Sequence, residues 1–548
     1  MNQEFYISNR LKLASLLILS STMLNAQSTS NSDGDLMLYS VITVSVILVL
    51  WALSSVASSL MKNEAAKYGI DPETTNMGIT PGISDLFTAK RPSFTKEGSY
   101  KSFAKGYNIK LKGDAKLEVT QASVDRYGVR PADFRGMSPI PKVEVEVGQD
   151  VQAGDILFYD KKRPETKYVS PVSGEIIEIN RGEKRSIANI IILADKKNSF
   201  KNFDVPSLDQ CDRATLIAFM AESGLLACIN ERPFDVVPSI DSVPDNVFIS
   251  TFDTAPLAPD SKMLIAGREI AFQKGIDVLA KLTKGKVHLG LDGRASSSSD
   301  NVFALMSNVE KHWFAGAHPA GNVGIHIHHT APIKVNSKVW TLEVQDVATI
   351  GDMFLSHEYH ADRVVALVGN EISNPSYIKT YKGASISDLL KNQKIGENAR
   401  FIDGDVLSGK QCDIGGFISD KTDQVTVISE GNDFEMFGWL VPINPRPSIS
   451  GTFPNFLYPN FKFEANTNMH GENRAFVETG QYESMLPMDI YPQHLMKAIM
   501  AQDIERMEGL GLTELSEEDV ALCEFVCTSK TPVQSIVRKG LDMLEEQS

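Results

Sequence analysis

From Leu36 to Met61 the chain carries no charged residue. About 20 apolar residues span the hydrocarbon core of a bilayer, and this run is long enough to do so with some tilt. It reads as a transmembrane helix at 36–61 rather than a buried core helix. Further upstream, Arg10 and Lys12 precede a short apolar run from Leu13 to Leu19, and Leu24-Asn25-Ala26 offers a small-residue cleavage site. Residues 1–26 therefore read as a signal-peptide-like segment, too short to span. Asp33 and Asp35 precede the long run, and Lys62 and Lys67 follow it. Basic flanks stay on the cytoplasmic side, which places the bulk of the chain there, tethered at its N-terminus.

The body beyond the tether is too long for one core, since the chain has 548 residues. Its 69 acidic residues against 54 basic give a net charge of −15, the opposite of the basic footprint of a nucleic-acid binder. Five cysteines make no disulfide framework. So sparse and odd a set suits a reducing compartment.

The residues predict an α/β multidomain body behind the transmembrane helix. Residues 62–99 form a flexible linker, with Pro72, Gly78, Pro81, Gly82 and Pro92 and no clear period. Residues 100–198 read as a lipoyl/biotinyl-like β-sandwich. Val143 to Val147 alternates strictly, as a half-buried strand should, and Gly148 and Gly154 mark tight turns. Lys161 and Lys162 fall at the hairpin tip between the sandwich halves, in the Asp160-Lys-Lys-Arg-Pro164 context. Residues 199–361 alternate helical stretches (213–226, 261–284) with short apolar strands (247–250, 287–291), the pattern of a Rossmann-like domain. No G-x-G-x-x-G opens a helix after a strand there. Residues 362–430 read as strand, turn, strand and helix, the opening of a β-grasp module. Residues 431–548 end in helices at 492–508, 517–527 and 533–546, the second capped by Ser516 with Asp519.

His318, His326 and His328 are the densest polar cluster, with the latter two expected on one strand face at period 2. Two imidazoles on a strand plus a third could hold a metal. They could instead be structural, or face a quinone, whose carbonyl needs a hydrogen-bond donor. Cys523 and Cys527 sit four apart on one helix, without the four-thiolate run that an iron–sulfur cluster needs. They read as buried small apolar residues.

One family carries the same motifs in the same order: Gly128-Val-Arg-Pro131, Val147-Gly-Gln-Asp-Val-Gln-Ala-Gly-Asp-Ile-Leu-Phe158, Asn180-Arg-Gly-Glu-Lys-Arg185, Ala317-His-Pro-Ala-Gly321, Gly324-Ile-His-Ile-His-His329, Gln345-Asp-Val347, Glu430 to Trp439, Met485-Leu-Pro-Met-Asp-Ile490 and Glu517 to Cys527. Over residues 105–546 the chain resembles the A subunits of bacterial Na+-translocating NADH:quinone oxidoreductases. The resemblance implies a six-subunit inner-membrane complex that passes electrons from NADH through flavins and iron–sulfur centres of other subunits to a quinone while exporting Na+. It implies that this subunit is structural and lies on the cytoplasmic side against those partners and the membrane. It also implies that the subunit binds no cofactor of its own and takes no nucleic acid. His318, His326, His328 and Trp340 would approach the quinone, and no residue would be catalytic. Family members begin near Phe103, so the first hundred residues are an addition. Two other classes share parts of the pattern. A membrane-fusion adaptor of an efflux system joins a membrane helix to a lipoyl-like sandwich, but with a long helical hairpin between the halves. A membrane-tethered lipoyl/biotinyl carrier would modify Lys161 or Lys162.

Overall fold

The computed structural model describes residues 41–46, 49, 91–95, 97–294, 301–334, 336–431, 445–449, 455, 460–477 and 479–547. The chain divides into two compact units, 1–90 and 91–548. In the first, residues 41–46 are helical and exposed. Among the described residues no helix is long and apolar enough to cross a membrane. The expected signal-like segment, most of the expected span at 36–61 and the linker up to residue 90 lie outside the described residues.

The second unit opens with β1 (Ser99–Ser102) and β2 (Lys116–Gln121). It continues through β3 (Arg126–Val129), β4 (Lys142–Val143), β5 (Asp150–Val151), β6 (Ile156–Asp160), β7 (Arg163–Val169), β8 (Gly174–Arg181) and β9 (Ile187–Ala194). β3 to β9 make two small sheets, ordered β3-β9-β8-β5 and β4-β6-β7. Gly148 and Gly154 take positive φ, as their turns demand. Val143 to Val147 departs from expectation. Only Lys142–Val143 is paired as a strand, opposite Tyr159 and Phe158 of β6; Glu144 adds one N–H to the Leu157 carbonyl at 2.9 Å, Val145 is buried, and Val147 is exposed. Lys161 and Lys162 are the two-residue turn between β6 and β7, so no helical hairpin is inserted there.

The α/β layer contains β10 (Asn230–Arg232), β11 (Asn246–Ser250), β12 (Val287–Asp292), β13 (Glu310–Ala315) and β14 (Val339–Leu342). With β1 they form one sheet ordered β1-β13-β12-β11-β14-β10. All its pairings are parallel except β10 with β14. The inner strands are apolar on both faces, as helix-covered parallel strands must be. Leu289, Leu291, Val247 and Trp340 are wholly or almost wholly buried. The helices Glu269–Leu282 and Val344–Ser356 pack together on this core at glycines. A Cβ at Gly351 would lie 1.7 Å from the Ala271 carbonyl oxygen, and one at Gly275 would lie 2.1 Å from that of Val347.

With the two small sheets counted as one sandwich, the third sheet holds β15 (Asp362–Val368), β16 (Ser376–Tyr381), β17 (Ala399–Asp403), β18 (Lys410–Cys412) and β19 (Gln424–Ser429). Its order is β18-β17-β19-β15-β16-β2. Leu157, Ile176 and Ile190 of the small sheets share one core with Val365, Leu367 and Val427 of this sheet. The stretch after residue 99 thus serves three sheets, since β1 joins the α/β layer, β2 joins the third sheet and β3 joins a small one. The C-terminal helices Pro492–Met500, Ile504–Gly509, Ala521–Val526 and Val533–Glu545 bury Leu495, Met496, Cys523 and Val537 together. Ser516 donates through both its backbone N–H and its hydroxyl to Asp519, at 2.9 and 3.0 Å.

The segment around His326 is a helix, Val323–Thr330, and not the expected strand. Ile325 enters the C-terminal core, while Ile327 packs with Phe248 on the sheet. A helix buried on two sides carries apolar residues two apart, which imitates strand periodicity.

Candidate functional site

In an open α/β sheet, ligands bind beyond the carboxyl ends of the strands where the strand order reverses. Here the chain runs from β11 outward to β12 and β13, then returns to β14 on the other side of β11. A cleft of about 390 Å³ opens at that reversal. Ser250, Phe252 and Asp253 follow β11 into it, and Leu342 and Glu343 close β14. The third sheet contributes Asp403, Asp405, Lys410, Lys421 and Asp423, and the C-terminal segment contributes Ser516, Glu517 and Glu518. Asn322, just ahead of the Val323–Thr330 helix, donates from its amide to the Glu518 carbonyl at 3.1 Å. A Cβ at Gly324 would lie 2.3 Å from an Asp519 carboxylate oxygen. Two motifs two hundred residues apart in sequence therefore meet at the cleft wall.

The electrostatics of the cleft are dominated by carboxylates. Burial, then the neighbouring Asp423 and Asp346, push Glu343 up to about 8. Its side chain is reached by solvent from the cleft, and water moderates that shift. Burial pushes Asp423 up to about 6 against the pull of Arg363. Burial, then Asp519, push Glu518 up to about 8 against the pull of Arg232, again moderated because the Glu518 side chain is 42% exposed. Burial opposes the charge of Arg232, but Asp235, Asp519 and Glu518 overcome it and hold the guanidinium firmly protonated. Lys421 reaches Asn230 at 2.6 Å. The same lining holds the cations Arg135, Arg232, Lys410 and Lys421. Ser408 donates from its hydroxyl to Asp405, and Ser419 to Asp403, within the same lining. The arrangement offers charged and hydrogen-bonding groups to the cleft.

His318 and His326 lie behind the wall formed by Phe252, Asp253 and Thr254. His318 is buried, its Nδ1 is 3.2 Å from the Thr254 hydroxyl, and its Nε2 has no hydrogen-bond partner. Burial lowers its basicity although Asp253 opposes this. His326 stacks on Phe314 at 4.0 Å and on Phe252 at 5.5 Å. Its Nε2–H donates to the Ala320 carbonyl at 2.9 Å, and burial pushes it down to about 3. His328 points elsewhere: its Nδ1 lies 2.7 Å from Glu514, and its Nε2 accepts from the Asp489 backbone N–H at 3.1 Å. Trp340 is fully buried in β14 and donates from its indole to Glu231 at 3.0 Å. The structure thus brings His318 and His326 together and keeps His328 and Trp340 apart from them. These histidines form no three-ligand metal group among the described residues. Cys523 is buried, and burial pushes its thiol up; Cys527 accepts from the Tyr482 hydroxyl at 2.9 Å. Sequence reasoning missed Arg232, Glu343, Asp423 and Glu518. The only signal available was position, since Glu343 directly follows an apolar strand whose end faces the reversal.

Three family models match the chain. The NqrA N-terminal barrel-sandwich hybrid domain covers residues 102–195, the NqrA second alpha/beta domain covers 211–359, and the NQRA C-terminal domain covers 364–413. The A subunit of the Na(+)-translocating NADH-quinone reductase of Saccharophagus degradans is 39% identical over 420 residues, 76% of this chain and 92% of that protein. The subunit of the same name from Vibrio atlanticus is 34% identical over 447 residues, 81% of this chain and 99% of that protein. Among solved structures, an NAD+-reducing [NiFe]-hydrogenase in the air-oxidized state is similar at 11% identity, with a TM-score of 0.31 over 64% of this chain and 67% of that one. That likeness carries no argument.

Proposed function

The chain belongs to the family of A subunits of Na(+)-translocating NADH-quinone reductases, and on that premise we propose that it works as one subunit of an NADH-quinone reductase that transports Na+, without catalysing a step alone. The observation that carries this is the 39% identity to a protein of that name across 92% of its length. We further propose that this subunit holds no redox centre, and that NADH, flavin, iron–sulfur and Na+ chemistry belong to its partner subunits. Support comes from the burial of Cys523 and Cys527 and from the lack of a four-thiolate run beside them in the sequence.

Quinone proximity is part of the same reading. His318 supports it best: its buried Nε2 has no hydrogen-bond partner, while His326 spends its one N–H on the Ala320 carbonyl. His328 and Trp340, with their ring nitrogens engaged, would hold neighbouring segments in place. The anchor belongs to the proposal too: the charge-free run Leu36–Met61 and its flanks would fix the chain to the bacterial inner membrane with its bulk in the cytoplasm. Tethering raises effective concentration near membrane partners.

Photo-labelling of the intact complex by a quinone analogue, mapped to peptides, tests the quinone reading. Labels near 252–254 or 317–326 support it, and labels confined to other subunits sink it. Pull-down of the full chain from membranes tests the assembly, since partner subunits must come with it. Removing residues 1–90, which leaves β1 whole, tests the anchor. Equal retention on salt-washed membranes counts against it.

A further inference from the structure

His288 on β12, with Glu310 and His312 on β13, forms a three-ligand group whose donor atoms all lie within 4.8 Å of one another. It sits at the beginnings of these strands, the end of the sheet opposite the cleft. In the parallel register His288 pairs with Glu310, Gly290 with His312, and Ser99 of β1 with His312, so all of them face one side. His288 Nδ1 is 2.9 Å from His312 Nε2 and 3.6 Å from Glu310 Oε2. A tetrahedral zinc-class ion with bonds of about 2.0–2.1 Å holds its ligands roughly 3.3 Å apart, between those two separations.

The outer atoms set the roles of the inner ones. His288 Nε2 lies 3.1 Å from Asn246 Oδ1, which is fixed as the amide oxygen because it also accepts the Lys286 backbone N–H. Nε2 of His288 must therefore carry the proton, and Nδ1 presents a lone pair to the group. His312 Nδ1 is 2.7 Å from the Ser99 hydroxyl, which leaves its Nε2 toward His288. Lys286 holds Glu310 Oε1, and this leaves Oε2 toward the histidines. An oxygen partner on each non-ligating nitrogen is the support that metal-bound imidazoles use. Phe248 stacks on His288 at 4.5 Å and fixes the ring. Burial, then His312, push His288 down to about 4, and burial lowers His312, so neither proton competes near neutrality.

We propose that His288 Nδ1, His312 Nε2 and Glu310 Oε2 bind one divalent zinc-class ion, with water completing the coordination on the side where Glu310 is 41% exposed. Two imidazoles and one carboxylate with an open position are a known zinc donor set. The ion cross-links β12 to β13 and, through Ser99, steadies the edge strand β1. The competing arrangement is a metal-free chain in which Ser99 donates to His312 and His312 donates to His288.

The test uses the full-length chain without an affinity tag, stripped with chelator and titrated with Co2+. One equivalent should give the intense visible spectrum of a four- or five-coordinate ion and be displaced by Zn2+. His312→Ala should abolish it. Asn246→Ala should weaken it by about 10–100-fold, and Glu310→Gln, at a half-exposed position, by at least about tenfold. These two milder variants keep the test alive if the histidine variant does not fold. X-ray absorption of the bound Zn2+ should show two imidazoles. Absence of saturable Co2+ binding, a six-coordinate aqua spectrum, or affinity unchanged in Glu310→Gln and Asn246→Ala overturns the proposal in favour of the metal-free chain.

Discussion

Arg363 donates from Nη2 to Asp346 Oδ1 at 2.6 Å, and both side chains are wholly removed from solvent. Asp346 stands on the Val344–Ser356 helix of the α/β layer, and Arg363 is the second residue of β15 in the third sheet. Lys382 adds a second buried cation 3.1 Å from the same carboxylate oxygen. Asp346→Ala leaves both cations short of charge, and breaking one side of a buried pair costs about 3–5 kcal/mol. Urea denaturation should lose stability on that scale; a change under about 1 kcal/mol would show that the pair does not join the domains.

Gly351→Ala should destabilise on the order of 3 kcal/mol, because its Cβ would run into the Ala271 carbonyl 1.7 Å away and force two helices apart. Gly509→Ala meets nothing within 4 Å and is the internal control. Its melting temperature should stay level or rise slightly. Equal behaviour of the two variants would contradict the close approach.

His326 carries an acid sensitivity whose sign is fixed by its surroundings. Its folded value of about 3 lies below the ordinary value of about 6.5, so the unfolded chain takes up a proton first as pH falls. Stability from this group is complete above about 6.5 and is lost as pH drops toward 3. His326→Phe keeps the stack on Phe314 but leaves the Ala320 carbonyl without its donor, costing about 1–2 kcal/mol at pH 7. Below pH 6.5 the parent loses up to about 1.4 kcal/mol per pH unit, so the gap should close and then reverse before pH 4; a constant gap refutes it.

Asp423 works in the opposite sense. Folded, it titrates near 6; unfolded, near 3.9. Between those values the folded chain keeps a proton that the unfolded chain has released, so stability falls as pH rises. Asp423→Asn still accepts from Gln345, which now donates to this side chain at 2.6 Å. Above pH 6 the variant should be more stable than the parent by on the order of 2 kcal/mol, with no difference at pH 4. Denaturation midpoints at several pH values measure it.

The order of elements was legible because local pattern and tertiary demand agreed. The apolar strands β11, β12 and β15 stand where alternation placed them, and so do the terminal helices, though 492–508 is broken at Ala501–Asp503 and 517–527 begins as a 3₁₀ turn. The resemblance motifs also gain physical reasons. Gly128 admits the Phe417 ring, which a Cβ would meet at 2.5 Å. Arg130 pairs with Asp133 and Asp403, both at 3.1 Å. Gln345 clamps the Val364 backbone by donating at 2.9 Å and accepting at 2.8 Å. The hidden features depend on contacts remote in sequence. The helix at Val323–Thr330 could not be told from a strand, because two separate cores take Ile325 and Ile327. The cleft draws Glu343, Asp423 and Glu518 from three regions, and no spacing relates them. His288 and His312 share a face only through strand register.

β1 is the first strand of the second unit, and its rungs to β13 run in parallel from Ser99 with His312 to Ser102 with Ala315. Tension transmitted through the preceding ninety residues along the strand axis would load those rungs together in shear, because the bonds of a parallel ladder are evenly spaced. The folded body would resist such a pull as one mechanical junction, where a perpendicular pull would unzip it a rung at a time.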